Sequence, residues 1–307
     1  MPRIIDCPPD ETPLALGDLI AALNDEAFDP ADEDSFAAAG PLLKRLAGNR
    51  DFLADIALAE LKDRCTRQSL ENRYSSQVIM LHRASEKYFI RANFWPSERD
   101  SVFKASGNSP FFYHVPHDHN FSFLTVGYMG PGYWSEYYEY DFASVLGVPG
   151  EKVGLRFVEK AKLDPGKVML YRAHRDVHNQ LPADDMSVSI NIMHASPALP
   201  FLNQYRFDPK TCEIVSILNR SSTEALLSLA ANHDGGNARD LVEDFAASHP
   251  CARIRFAALR ELAAAAPALE AGMERLAGAT HDADAFIAAM SARELARMDA
   301  SRAWTAR

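Results

Sequence analysis

The segment His117-Asp118-His119 carries the residue pattern in this chain best suited to chemistry. Alternate residues of an extended strand point to the same side, so the two imidazoles project together and Asp118 faces away. Such a pair supplies two neighbouring positions to a metal ion. His114 has the opposite parity, although Pro116 can disturb the register. A third ligand must come from a distant strand, and the candidates are His174 and His178, four residues apart with Arg175-Asp176 between them. Neutral imidazoles suit Fe(II), and also Zn, Cu or Ni. Three protein ligands leave positions open, which allows inner-sphere oxygen chemistry with Fe(II) and Lewis-acid or hydroxide chemistry with Zn. Glu136 and Glu139, on the following strand, are candidates for a fourth ligand or for a partner to a ligand. Six of the ten histidines fall between His114 and His194, and this clustering singles the region out. His82, His194, His233, His249 and His281 read as ordinary polar residues, and His114 and His174 as pocket-wall residues, with His174 the rival of His178.

The elements that must position these groups form a β-rich middle between two helical ends. Residues 12–66 show helical periodicity: Leu16, Leu19, Ile20 and Leu23 share one face, and Leu53, Ile56, Ala57 and Leu61 another. Pro30 and Gly40-Pro41 divide this segment into roughly three helices. Short runs rich in Val, Ile, Tyr and Phe follow at 77–82, 87–95, 111–117, 121–128, 133–140, 154–163, 167–172 and 186–194. Strands so dense, without intervening helices, predict an antiparallel sandwich or barrel. Twelve aromatic residues lie between Phe111 and Phe142, enough to wall a pocket or fill a barrel. From Ser222 onward the chain is alanine-rich and helical. Asn237-Ala-Arg-Asp240 resembles a helix cap, and Pro267 closes the helix that opens after His249-Pro250. The expected organisation is α+β: an N-terminal helical segment at 1–74, an antiparallel β-barrel at 75–218 and a C-terminal helical segment at 219–307.

Composition excludes several classes. The 307 residues are 47% hydrophobic and carry a formal charge of −10 with no Lys/Arg run, so nucleic acid is not an expected partner. No apolar stretch reaches the length of a membrane span, the start lacks a signal-peptide layout, and four scattered cysteines form no CxxC pair. The expectation is a soluble cytoplasmic protein with reduced thiols. Glycine-rich phosphate loops and a Gly-x-Ser-x-Gly elbow are missing, which leaves nucleotide and α/β-hydrolase chemistry unsupported.

Over residues 77–207 the chain resembles the cupin superfamily. His117-Asp-His119 with Gly130 at a hairpin is similar to its first motif, and Pro165-Gly166 through His178 to its second. The resemblance implies a cupin-like barrel and favours His178 as the third ligand. Phe123 and Leu124 stand where the acidic ligand of many cupins is expected, so the site is a three-histidine one. In this, and in His-Asp-His itself, the chain resembles the cysteine-dioxygenase-like thiol dioxygenases. So do the run from Ser187 to Pro197 and the segment Tyr205-Arg-Phe-Asp-Pro-Lys-Thr-Cys212. It departs from that family where Ser189-Ile-Asn191-Ile-Met193 replaces its Ser-x-His-x-Tyr strand, which removes its tyrosine and puts cysteine as substrate in doubt. Tyr133, Tyr138 or Tyr171 could supply a phenol instead, and Arg73, Arg83 or Arg91 a substrate-anchoring charge. The C-terminal helix pairs resemble HEAT-type repeats.

These readings lead to one expected function and two others. The first is a non-haem Fe(II) oxygenase acting on a small molecule, a thiol or an amino-acid-derived metabolite. Its ligands would be His117, His119 and His178, with Tyr133, Tyr138 and His174 as the candidate catalytic residues. The others are a metal-dependent lyase or isomerase using Zn, Ni or Cu, and a ligand-sensing scaffold whose C-terminal helices recruit a protein partner.

Overall fold

The computed structural model describes residues 1–9, 12–72, 74, 77–83, 86–233 and 235–305. In chain order the elements are β1 (Arg3–Ile4), α1 (Leu16–Leu23), α2 (Glu33–Ala38), α3 (Gly40–Gly48), α4 (Phe52–Lys62), α5 (Thr66–Glu71), β2 (Val78–His82), β3 (Tyr88–Trp95) and α6 (Ser101–Ser106). They continue with β4 (Phe123–Met129), β5 (Trp134–Glu139), β6 (Arg156–Lys162), β7 (Val168–Tyr171), β8 (Asp176–Gln180), β9 (Ser187–His194), β10 (Tyr205–Asp208) and β11 (Glu213–Ile217). Helices α7 (Ser222–Ala231), α8 (Ala238–Ser248), α9 (Ala252–Ala264), α10 (Leu269–Ala279) and α11 (Ala285–Thr305) complete the chain. Two compact units result: residues 1–143, 153–199 and 206–212, and residues 144–152, 200–205 and 213–307. No helix among the described residues is long and apolar enough to cross a membrane.

The first unit is built on a six-stranded antiparallel sheet of order β1-β7-β4-β9-β3-β2 and a three-stranded one of order β6-β5-β8. Side-chain alternation gives the larger sheet two different faces. Ile90, Leu124, Val126, Leu170, Ile190 and Ile192 point outward and pack against Leu19 and Leu23 of α1, Phe36 of α2 and Leu43 and Leu46 of α3. This is why the N-terminal segment is amphipathic: its apolar stripes cover a sheet that would otherwise expose a continuous aliphatic surface. The alternate residues Trp95, Phe123, Met169, Tyr171 and Met193 point inward and share a second core with Tyr133 and Tyr137 of the facing sheet. The site lies against this inward core.

The expectation of a closed barrel is corrected. Strands are antiparallel as expected, but the two sheets remain separate. The run at 111–117, read as a strand, is not one. Left-handed backbone at Phe112 and His114 (φ 55° and 58°) and the missing N–H of Pro116 break it. It makes only isolated bridges, Tyr113 with Gln180 and His117 with both His178 and Arg206. The N-terminal segment also holds five helices in place of roughly three.

One close approach locks the inner turn. Gly127 in β4 accepts a hydrogen bond from Gly166 N–H at 2.8 Å, and a Cβ at Gly127 would lie 2.3 Å from Asp164 O. The obstacle is backbone, so Gly127→Ala is expected to cost about 1–3 kcal/mol by overpacking. A urea midpoint equal to wild type would show that this turn yields freely.

In the second unit α9 is the hub, touching α7, α8, α10 and α11. Leu227 and Ala231 of α7, Val242 of α8 and Ile254, Ala257, Ala258 and Leu262 of α9 form one core. The cap expected at Asn237 makes no side-chain hydrogen bond; the carboxylate of Glu224 instead accepts from Ser221 N–H at the start of α7.

Candidate metal centre

His117 and His178 face each other as a hydrogen-bonded antiparallel pair, His117 N–H to His178 O at 3.0 Å and His178 N–H to His117 O at 2.9 Å. His119 lies two residues on, and its carbonyl accepts from His174 N–H at 2.8 Å, so the segment 117–119 runs alongside the start of β8. Parity then does the rest: His117, His119 and His178 all point inward. Nε2 of His178 is 3.1 Å from Nε2 of His119 and 3.2 Å from Nε2 of His117. The potential ligand atoms of the three lie within 4.8 Å of one another, and no carboxylate or thiol joins them among the described residues.

These imidazoles are held neutral. Burial is the largest cause for each. His119 is depressed further by His117, His178 and Arg91, and His178 by His117. Nδ1 of His117 lies 2.7 Å from Val115 O, which can only accept, so the proton sits on Nδ1 and the Nε2 lone pair faces the cluster. Converging lone pairs in a buried space repel unless a cation or proton lies between them. Ligands about 2.0–2.1 Å from a tetrahedral ion stand roughly 3.3–3.4 Å apart. The two observed separations are close to that, and the donor set fits one divalent transition ion.

Aromatic rings enclose the group. Phe112 lies 5.2 Å from His117, Phe121 4.8 Å and Phe123 5.0 Å from His119, and Tyr171 4.9 Å from His178, between ring centroids. Tyr171 stacks on Phe123 at 4.3 Å, and its hydroxyl is 3.0 Å from that of Tyr137. Burial pushes the Tyr137 phenol up to about 12 and that of Tyr171 well above the ordinary value, so both stay protonated near neutral pH.

The other residues singled out from sequence fall in different places. His174, with left-handed backbone (φ 58°), is outside the group. Its ring stacks on Phe142 at 4.0 Å, and its Nδ1 is 3.9 Å, beyond hydrogen-bond reach, from the buried Asp118 carboxylate, which accepts from the Tyr140 hydroxyl at 2.6 Å. Tyr133 is buried in the inward core, its ring tilted by 33° against Trp95 at 4.3 Å. Tyr138 is one residue out of phase with Tyr137, the residue that pairs with His178. It therefore faces the other side of β5, against Phe157. Glu136 shares that side and accepts from Asn179 Nδ2 at 2.8 Å. Glu139 is engaged by Arg156 and Arg172 and by the amino group of Met1. Neither glutamate joins the histidines. Of the three arginines, Arg83 is exposed, Arg91 has the inward parity of Trp95 on β3, and Arg73 lies outside the described residues. Sequence reasoning passed over Tyr137; the signal was its position in the Tyr137-Tyr138 pair, which only a register could resolve.

No family model and no curated protein sequence matches the chain. Solved structures give loose matches. DMSP lyase DddQ from Ruegeria pomeroyi DSS-3 aligns at 9% identity over 64% of this chain and 78% of its own, with a TM-score of 0.25. Hydroquinone 1,2-dioxygenase PnpCD, solved with Cd2+ and 4-hydroxybenzonitrile, aligns at 11% identity over 42% and 71%, also at 0.25. The match to the structures of DMSP lyases RdDddP and RnDddQII is at 10% identity and a TM-score of 0.21 over 35% of this chain, and spans only 38% of theirs. Likeness of this extent assigns neither fold family nor activity, and the reading below rests on the residues.

Proposed function

We propose that the protein is a non-haem Fe(II) oxygenase of the three-histidine cupin type, acting on a small organic molecule with His117, His119 and His178 as metal ligands. The observation that carries this reading is the convergence of three buried, neutral imidazoles with no carboxylate among them. His117, His119 and His178 would hold the ion, which as Fe(II) would supply oxygen chemistry and as Zn would supply Lewis-acid chemistry.

The chain's own residues have definable tasks. The Nδ1–H of His117, bonded to Val115 O, fixes the tautomer and aims Nε2 inward. Phe112, Phe121 and Phe123 keep bulk water from the imidazoles. The Tyr171 and Tyr137 hydroxyls, 3.0 Å apart beside His178, hold a proton that can be donated to a negative oxygen on a substrate. Tyr133, in the same core, is a further polar contact, whereas Tyr138 and His174 would act only from outside the histidine cluster.

Oxygen consumption by the Fe(II)-loaded full chain, measured across thiols, amino acids, hydroxy acids and phenols with zinc-loaded protein alongside, tests the reading. Iron-dependent uptake with at least one substrate class is the expected result. Turnover by the zinc form alone would move the assignment to a lyase or isomerase, and no turnover with either metal would favour a ligand-sensing protein.

A further inference from the structure

The three imidazoles are closed off from solvent: His117 is 3% exposed, His119 9% and His178 1%. Anything that reaches them must pass a side chain, and the walls differ in how firmly they are fixed. Phe123 and Tyr171 are buried and stacked on each other in the inward core, and Phe121 packs against that core. The backbones that carry His117 and His178 are hydrogen-bonded to each other. Phe112 is the exception. Its side chain is 44% exposed, belongs to neither the inward nor the outward core, and makes one ring contact among the described residues, with His117 at 5.2 Å.

The backbone of Phe112, by contrast, is held on both sides. Its neighbours Phe111 and Tyr113 are buried in the inward core, and the Tyr113 hydroxyl donates to Pro96 O at 2.9 Å. Phe112 N–H donates to Ser109 O at 3.2 Å, and His114 N–H to Gln180 O at 2.9 Å. Between these anchors Phe112 takes left-handed backbone (φ 55°), in which a Cβ crowds the following carbonyl and which glycine adopts freely. A phenylalanine there is kept at a cost in stability, and strain of this kind persists only where the surroundings impose it. An exposed ring on a fixed backbone can turn about χ1 without breaking a hydrogen bond, and such rotamer changes take picoseconds to nanoseconds.

We infer that Phe112 is the gate of the metal centre: its ring covers His117 when closed and swings toward solvent to admit the ion and the small molecules that meet it. This rests on the metal-dependent reading above and goes beyond it by naming the side chain that controls access. A gate has a kinetic signature that a packing residue lacks. It lies on the way in and on the way out alike, so its removal raises both rates by one factor and leaves their ratio, the dissociation constant, unchanged. A residue that positions His117 changes the ratio instead.

The test compares the wild-type full chain with Phe112→Ala and Phe112→Gly. Zinc uptake by metal-free protein and zinc loss to excess EDTA are followed in time, and the dissociation constant is measured separately by competition. Both variants are expected to take up and to lose zinc about 10-fold faster or more, with a dissociation constant within about twofold of wild type. Phe112→Gly suits the left-handed backbone and should keep or raise the urea midpoint, so that its faster exchange does not come from unfolding. Unchanged rates, or faster loss without faster uptake, would overturn the proposal. Faster exchange confined to a variant with a lowered midpoint would overturn it too. A second readout needs no metal: acylation of metal-free protein by diethyl pyrocarbonate, mapped by peptide mass spectrometry. His117, His119 and His178 should be labelled faster in both variants, while the exposed His281 keeps its rate. A chain that binds no zinc yet shows this acceleration sinks the metal site and leaves the gate standing. A chain that binds zinc and shows neither change sinks the gate alone.

Discussion

A chain with His117 and His119 both replaced by alanine is expected to purify without metal, and the wild type with about one divalent ion per chain. Elemental analysis after anaerobic purification reads the difference. Two of three converging imidazoles are removed, and one remaining imidazole cannot retain an ion against dilution and washing, so occupancy should fall from about one equivalent to below roughly a tenth. His178→Ala should behave similarly, because its Nε2 stands between the other two at 3.1 and 3.2 Å. His174→Ala should leave the metal in place, since that ring lies outside the group and rests on Phe142. The metal also binds only the folded chain, so chelation should lower the melting temperature of the wild type and not that of the double variant; 100-fold saturation corresponds to about 2.7 kcal/mol. Stoichiometric metal surviving in the double variant would place the site elsewhere.

Arg253→Ala is expected to give the largest loss of stability in the C-terminal unit. Arg253, on α9, is only 5% exposed. Its guanidinium reaches Glu224 Oε1 at 2.6 Å, Asn203 Oδ1 at 3.0 Å and Pro200 O at 2.6 Å. One planar fork thus fastens α9 to the start of α7 and to the segment 200–203. Truncation leaves a half-buried carboxylate and two oxygens without their donor, and breaking such a pair costs about 3–5 kcal/mol. Urea denaturation followed by far-ultraviolet circular dichroism measures it. Arg253→Met, which removes the charge and keeps much of the volume, should recover little because Glu224 remains uncompensated. A midpoint unchanged in both variants would show that water replaces the guanidinium at no cost.

Much of the candidate site was legible from residue types and local spacing. His117-Asp-His119 declares two imidazoles on one side of an extended segment, and the structure turns both inward with Asp118 on the other side. The inward and outward faces of β3 and β9 are likewise present as alternation, because a two-residue period depends on the backbone alone. The amphipathic stripes of α1 and α3 announced a surface to be covered, though not which one.

What local spacing cannot carry is register and closure. Whether His174 or His178 completes the group depended on the pairing of residue 117 with 178, a contact across 61 positions. The same register decides between Tyr137 and Tyr138, since a slip of one residue exchanges every side chain between faces. Glu136 and Glu139 were plausible ligands by sequence distance; that pairing turns Glu136 to the other side, toward Asn179, whereas Glu139 shares the phase of Tyr137 but sits at the end of β5, held by Arg156 and Arg172. The failure of 111–117 to form a strand goes with a backbone property, left-handed φ at Phe112 and His114, that no residue type there demands. The sequence by itself therefore determined the donor types, their local phase and the apolar faces. Tertiary structure alone decided which distant donors meet, because partners are set by pairing between segments far apart in the chain.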